Sequence, residues 1–179
     1  MEDRGQNMLG AFVLEVAGRI QRDTEAAIGH AGATAAALVT IAQFPGRTVE
    51  ELRRAIGLSH PAAVRVIDRL EADRLVRRGR AGRGPAIALI TTAAGRRKAR
   101  QILDIRHRIL ADSLPAVSAG EERVLVGVLE RALAHLADSP DPVICRLCDT
   151  GRCRRAECPV MARQTARGNP PPEFVPLDG

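Results

Sequence analysis

The chain has 179 residues, of which 45% are hydrophobic and only 2% aromatic, with no Trp or Tyr. This composition suits one compact domain with a small appendage and an aliphatic core, and it argues against a site that stacks aromatic rings on a flavin, a sugar or single-stranded nucleic acid. The net charge of +6 is concentrated, because residues 47–108 hold fifteen Arg and one Lys against six acidic residues, a net +10. Such a basic block is typical of a surface that binds the DNA backbone.

The sequence shows no targeting or membrane segment. Its start, MEDRGQNMLGAF, lacks the charged and apolar regions of a signal peptide, and no apolar run approaches the ~18 residues of a membrane span. We therefore expect a cytoplasmic protein without a membrane partner. The four histidines are scattered and no nucleophile, base and orienting group share a motif, so we do not expect an enzyme.

Two helices are predicted before the basic block. Apolar residues at helical spacing from Leu9 to Ile28 predict a first helix over about 8–28, after a frayed polar start. This apolar stripe is longer than a small DNA-binding lobe needs, which suggests contact with a second subunit. His30 is interpreted as a solvated turn residue. A short second helix is predicted from Ala35 to Phe44, where Pro45-Gly46 ends it.

A helix-turn-helix is predicted next. Thr48 and Glu51 form a capping box for its first helix, Gly57 provides the break, and Ser59 caps a second helix with Pro61 in its first turn. Val64, Ile67 and Leu70 are expected to bury the second helix, which would read the major groove of DNA. The candidate DNA contacts on its outer face are Ser59, His60, Ala62, Ala63, Arg65 and Arg69.

The segment after this helix predicts a β-hairpin. Residues 75–78 and 86–90 are strand-like, and a glycine- and arginine-rich tip over 79–85 joins them. A basic hairpin beside a recognition helix is the wing of a winged helix, and its Arg80 and Arg83 suit the narrow, negative minor groove.

Two further helices are predicted after the wing. Thr91 or Thr92 caps a long basic helix that Pro115 ends, and a capping box of Ser118 and Glu121 opens the last helix. Apolar stripes at both ends of the chain predict a helical dimerisation region over about 8–28 and 92–138, flanking a DNA-binding lobe over about 31–92. A two-fold dimer would set its recognition helices about 34 Å apart, on a pseudo-palindromic operator.

The run GLSHPAAVRVIDRLEADRLVRR, followed by a wing and LITTAAGRR, resembles the MarR family of bacterial regulators. The resemblance covers roughly residues 9–137 and is densest over 52–96. It implies a mainly α, dimeric winged-helix repressor that leaves its double-stranded operator when a small-molecule effector binds between the lobe and the dimer helices. The family pattern has Asp-Arg-Arg in the wing, where this chain has Gly82-Arg83-Gly84. No pocket residue can be assigned from the sequence.

All four cysteines lie in one short run, CRLCDTGRCRRAEC, as Cys145, Cys148, Cys153 and Cys158. Their C-x2-C-x4-C-x4-C spacing resembles a zinc knuckle, and four thiolates so close together can hold one tetrahedral metal ion. Zinc is the expected ligand. An iron–sulfur cluster is the alternative, because Cys158-Pro159 resembles the end of many ferredoxin motifs, and a redox pair or four thiols remain open.

Composition divides the end of the chain, from residue 139 onwards, into three parts. Residues 139–144 are predicted to be a linker, 145–163 the metal-binding loop, and 164–179 a Pro-rich disordered tail. The whole chain is thus predicted to be a dimeric, sequence-specific transcriptional regulator, a repressor released by a small-molecule, redox or metal signal. The alternative is an iron–sulfur or thiol redox sensor that acts mainly through a partner protein.

Overall fold

The computed structural model describes residues 2–80, 87–138, 143–152, 157–168, 175 and 177, apart from the side chains of Val143 and Cys145. Over these residues the chain is mainly helical with one two-stranded antiparallel hairpin, which confirms the predicted fold class. The elements in chain order are α1 (Asp3–Ile28), α2 (Thr34–Gln43), α3 (Val49–Ile56), α4 (His60–Ala72), β1 (Val76–Arg80), β2 (Ile87–Thr91), α5 (Ala93–Ser113), α6 (Ala119–Leu136), a 3₁₀ helix (Val143–Leu147) and α7 (Pro159–Ala166).

Helix α2 is the centre of the lobe, since all ten of its residues are buried. Helices α1, α3, α4 and α5 and strand β2 pack around it. The core is aliphatic, as the composition predicts, and Leu38, Ile41, Leu52, Ile67 and Leu70 are among its fully buried side chains. None of the described helices is long and apolar enough to cross a membrane.

Local signals set most of the helix ends where the sequence predicts them. The capping boxes at Thr48 and Ser118 are both formed, and Thr92, one of two candidates, caps α5. Gly57 ends α3 with a φ of 70°, a conformation that favours glycine. The prediction of a frayed start is wrong, because α1 begins at Asp3. A carboxylate in the first turn stabilises a helix through its interaction with the helix dipole.

The hairpin pairs Val76 with Thr91 at its base and Arg80 with Ile87 at the last described position. Gly95 lets the start of α5 approach this base closely, since a Cβ there would overlap the carbonyl group of Leu75. The hairpin tip, including Arg83, lies outside the described residues.

The end of the chain differs from the prediction. The 3₁₀ helix begins inside the expected linker and lies against α2 and α3, and α7 crosses the expected boundary at residue 163. The prediction of a disordered tail is wrong at residues 164–168 and at Leu177, which is 7% exposed within the core cluster. Its carbonyl oxygen accepts a hydrogen bond from Arg100. An apolar side chain of the Pro-rich tail is therefore buried against the lobe.

Candidate nucleic-acid interface

Helix α4 has the features expected of a recognition helix. Ser59 caps it by accepting a hydrogen bond from the Ala62 N–H over 3.4 Å, and Pro61 occupies its first turn. Ser59, His60, Arg65 and Arg69 are exposed along its outer face. This face is therefore accessible to a duplex.

The predicted inner face of α4 is right at two of its three positions and differs at the first. Ala63, Ile67 and Leu70 are each 0% exposed, whereas Val64 is half-buried. The prediction of Ala63 as a DNA contact is wrong, because its side chain is fully buried, on the stripe that positions i, i+4 and i+7 share. Ala62 is half-buried and borders the outer face.

Several exposed arginines near the lobe surface, four of them on α4 and β1, have no ion pair with any described residue. Arg65 and Arg69 lie on α4, and Arg77 and Arg80 on β1, and all four are exposed. By contrast, Arg53 and Arg54 on α3 both contact Glu50. Unpaired, exposed guanidinium groups are the ones that can bind phosphate or a base edge without first losing a partner.

His60 is accessible at the start of α4. Its side chain is 62% exposed, and its Nδ1 lies 3.9 Å from Glu50 Oε2. The pKa of Glu50 is lowered, first by its hydrogen bond with Arg53. The negative charge of Glu50 is thus balanced mainly by Arg53 within α3, and the His60 side chain remains exposed at the start of α4.

Arg78 links the wing to the recognition helix, a role that the sequence analysis missed. Its guanidinium donates to Asp68 over 2.7 Å and also contacts Glu71, while its backbone N–H donates to Glu71 Oε1 over 3.0 Å. The hydrogen bond to Asp68, followed by the charge of Glu71, raises the pKa of Arg78. Two acids three residues apart on α4, followed by a basic strand, were the signal for this contact.

His30 is a second missed contact. Its Nε2 lies 2.5 Å from Asp73 Oδ2, and its side chain is 27% exposed, so the interpretation as a solvated turn residue is wrong. The pair joins the turn after α1 to the end of α4. Lys98 adds a nearby link, because its Nζ donates to the carbonyl oxygen of Ala27 over 2.9 Å.

The cysteine segment contacts the lobe through a buried glutamine that the sequence analysis also missed. Gln43 is 1% exposed, and its Nε2 donates to the carbonyl oxygen of Cys148 over 2.8 Å. Its Oε1 accepts from the Thr150 N–H and Oγ1 over 2.8 and 2.6 Å. Nothing in the local sequence distinguishes Gln43 from other polar residues at the end of a helix.

The predicted metal ligands are only partly described. The side chains of Cys148 and Cys158 are half-buried, whereas Cys153 and the side chain of Cys145 lie outside the described residues. Within the described part of the chain, no three His, Cys, Asp or Glu side chains form a group that could hold a metal. The four-cysteine site therefore stays a prediction.

Comparison with known proteins supports the winged-helix assignment. Residues 29–84 match the model of the MarR family, and no curated protein matches the chain. The YusO protein from Bacillus subtilis is 22% identical, over 73% of this chain and 92% of that chain, with a TM-score of 0.59. A MarR family protein from Bacillus stearothermophilus is 20% identical, over 77% and 99%, with a TM-score of 0.64.

A DNA complex is among the similar structures. A mutant of MepR from S. aureus, solved bound to an oligodeoxyribonucleotide, is 14% identical over 75% of this chain and 99% of that chain, with a TM-score of 0.55. The TM-scores of these three comparisons establish a common fold. The expectation of a regulator rather than an enzyme agrees with the family matched. Residues 29–84 are thus similar to the MarR family, and the described chain shares the fold of solved MarR family proteins.

Proposed function

We propose that the protein is a homodimeric, sequence-specific DNA-binding transcriptional regulator that acts as a repressor. The observation that supports this most directly is the exposed outer face of α4, where Arg65 and Arg69 have no ion-pair partner among the described residues. Arg77 and Arg80 extend this basic surface along the wing. The oligodeoxyribonucleotide complex of MepR, which shares the fold, is consistent with this use of the surface.

Dimerisation is proposed from the apolar side chains that the single chain leaves exposed. Helix α6 has no buried residue, although a single helix with this much apolar surface is unfavourable in water. The N-terminal half of α1 carries a similar face. The exposed large apolar residues of these two helices are Met8, Leu9, Phe12, Val13, Leu14, Val124, Leu125, Val126, Val128, Leu129 and Leu136.

The two-fold arrangement determines the kind of operator. A dimer that pairs these faces would present two copies of α4 about 34 Å apart, one turn of B-DNA. The target is then a pseudo-palindromic double-stranded site. A regulator that binds the chromosome works in the cytoplasm, and the proposal places this protein there.

Release from DNA is proposed to follow the binding of a small anionic molecule. A shallow depression of about 300 Å³ on α5 is lined by Arg97, Arg100, Gln101, Asp104 and Arg108. Its three guanidinium groups favour a carboxylate. Benzoate should then weaken operator binding where the neutral benzamide does not, and equal effects of the two would contradict an anionic effector.

The recognition surface is tested with two matched arginine substitutions. Arg65→Ala should reduce operator affinity by about 1–3 kcal/mol and lower the preference over scrambled DNA, because a base contact is lost. Arg22→Ala, which removes an exposed arginine from α1, is the control and should change neither value. Fluorescence anisotropy with labelled duplexes measures both. Unchanged discrimination by Arg65→Ala would contradict the assignment of α4.

Substitutions in the wing are tested by the salt dependence of binding, because the wing is expected to contact DNA without reading its sequence. Arg83→Ala should weaken binding to operator and scrambled DNA alike and reduce the salt slope by about one unit, as expected for one lost phosphate contact. If the full chain binds no duplex with any preference, the proposed function fails. The alternative of a redox sensor acting through a partner protein predicts that result.

A further inference from the structure

Two residues of the tail contact the lobe. The Val175 N–H donates to the carbonyl oxygen of Gln43 over 2.7 Å, and the side chain of Leu177 is 7% exposed within the core cluster. Arg100 on α5 donates to the carbonyl oxygen of Leu177. We call Val175 and Leu177 the tail contact. It joins the last residue of α2 to α5.

The tail contact supplies partners to polar groups of the lobe. Gln43 ends α2, and the final carbonyl groups of a helix find no N–H donor within that helix. Val175 provides such a donor. Arg100 has no ion pair with any described residue, and its Nε is buried without a hydrogen bond to the part of the chain that the structure describes. The tail contact thus satisfies the Gln43 carbonyl group but satisfies Arg100 only in part.

The guanidinium group of Arg100 suits a carboxylate better than a carbonyl group. Its Nη2 already donates to Leu177, and the adjacent Nε lacks a described partner. A carboxylate offers two oxygens to this edge, and such charge-assisted hydrogen bonds are roughly twice as strong as neutral ones. Arg100 also lines the depression on α5, so an anion can reach it from the surface.

The buried position of Leu177 indicates the shape of the rest of a ligand. Its carbonyl oxygen contacts Arg100 while its branched side chain lies in the core cluster, and the covalent skeleton of leucine fixes the spacing between the two. Isocaproate is leucine without its amino group. It can therefore place a carboxylate at Arg100 and the same branched chain in the core, where burial of the chain adds hydrophobic free energy that a short acid lacks.

We propose that the tail contact is an internal ligand of the lobe, and that a branched aliphatic carboxylate displaces it by binding Arg100 and occupying the place of the Leu177 side chain. The tail and the acid exclude each other, so the lobe has a tail-bound and an acid-bound state. The displacement does not depend on DNA. Its effect on operator binding rests on the proposed function and names the class of its anionic effector.

The end of α2 connects the tail contact to the wing. In the turn that follows Gln43, the Gly46 N–H donates to the carbonyl oxygen of Leu89 over 3.1 Å, and the Leu89 N–H donates to the carbonyl oxygen of Arg47 over 2.8 Å. Leu89 belongs to strand β2 of the wing. Displacement of the tail leaves the Gln43 carbonyl group without its donor and the base of the wing less firmly held, so operator affinity should fall.

The first experiment follows the Val175 amide in the wild-type full chain without DNA. Hydrogen exchange measured by NMR should be slow, because this amide is hydrogen-bonded, and isocaproate should accelerate it about tenfold, a typical coupling between sites. Isocaproamide, which lacks the charge, and acetate, which lacks the branched chain, should not. Fast exchange in the free protein, or exchange that isocaproate does not change, would overturn the proposal.

The second experiment tests the competition by calorimetry. Leu177→Ala removes the competing side chain, so isocaproate should bind it about tenfold more tightly than it binds the wild type. A leucine that only stabilised the fold would give unchanged or weaker binding, and that result would overturn the internal ligand. Leu114→Ala, which removes a leucine that is 41% exposed, is the matched control and should bind like the wild type. Arg100→Gln should lose the binding. The exchange experiment decides the question if Leu177→Ala does not fold.

Operator titrations separate this inference from the proposed function. Isocaproate should reduce the operator affinity of the wild type about tenfold, and isocaproamide should leave it unchanged. Displacement of the tail with no change in operator affinity would overturn the regulatory role of the tail contact. Displacement in a protein that binds no duplex with any preference would contradict the proposed function but not the internal ligand.

Discussion

The winged-helix lobe buries its apolar side chains, whereas the helical ends of the chain leave many of theirs exposed. Helix α2 in the lobe is buried at every residue, whereas α6 has no buried residue, and its Val124 is 69% exposed. Both helices carry similar aliphatic residues. Composition alone therefore does not separate them: one completes a core within the chain, and the other presents an apolar face that the described residues leave exposed.

The largest expected effect comes from a charge on the α6 face. Leu129, 49% exposed in the single chain, should be buried between two copies, so Leu129→Glu should give a monomer in analytical ultracentrifugation. Loss of the second recognition helix should reduce operator affinity by about 10²–10⁴-fold. The melting temperature of the lobe should change little, because the lobe core does not include α6.

A core substitution should give the reverse pattern. Leu38→Ala in α2, where the side chain is 0% exposed, should cost about 2–5 kcal/mol of unfolding free energy while the folded fraction remains dimeric. If Leu129→Glu stays dimeric with normal affinity, the α6 face is not the subunit contact.

A smaller effect is expected where the wing meets the recognition helix. Arg78→Ala removes the contacts to Asp68 and Glu71, which are partly exposed and so contribute only about 1 kcal/mol together. The wing should then be less well positioned, and operator affinity should fall several-fold in anisotropy titrations. The double substitution Asp68→Asn and Glu71→Gln distinguishes a role of Arg78 in positioning the wing from a simple effect of charge on DNA binding. If Arg78 positions the wing, the double substitution also weakens binding, although removal of two negative charges would otherwise strengthen it.

The sequence predicts this lobe well because most of its signals are local. Thr48 and Glu51 are three residues apart, so the chain itself fixes their geometry, and the same holds outside the lobe for Ser118 and Glu121. The missed contacts join distant positions: Gln43 lies 105 residues from Cys148, and His30 lies 43 from Asp73. Pairing at such distances depends on how the elements pack, which a single sequence does not show.

One buried position of the recognition helix was predicted wrongly for a different reason. A buried stripe through Ala63 and one through Val64 fit the same 3.6-residue period, and hydrophobicity favours the larger valine. In the structure the alanine is fully buried and the valine is half-buried. The basic outer face of α4 was predicted correctly in Arg65 and Arg69, because both remain exposed with either stripe.

The smallest expected effect is the loss of stability at low pH from the two capping boxes, one at α3 in the lobe and one at α6 outside it. The pKa of Glu51 is lowered, chiefly because its carboxylate accepts the Thr48 N–H, and the pKa of Glu121 is lowered by its hydrogen bonds to Ser118. A carboxylate with a lowered folded pKa adds stability that is present above its unfolded value and is lost as the pH falls through the folded one. This acid-side loss should therefore begin near pH 4.5 and continue below it.

Thermal melts from pH 7 to pH 3 test this comparison. Glu51→Gln should lower the melting temperature at pH 7, and its difference from the wild type should shrink as the pH falls through the lowered pKa of Glu51, because a protonated wild-type side chain loses the same interaction. Glu121→Gln should instead increase amide exchange at the start of α6 and leave the melting temperature of the lobe unchanged. Equal shifts in melting temperature for the two variants would mean that α6 and the lobe unfold as one unit, and the contrast between the two regions would then hold for burial but not for stability.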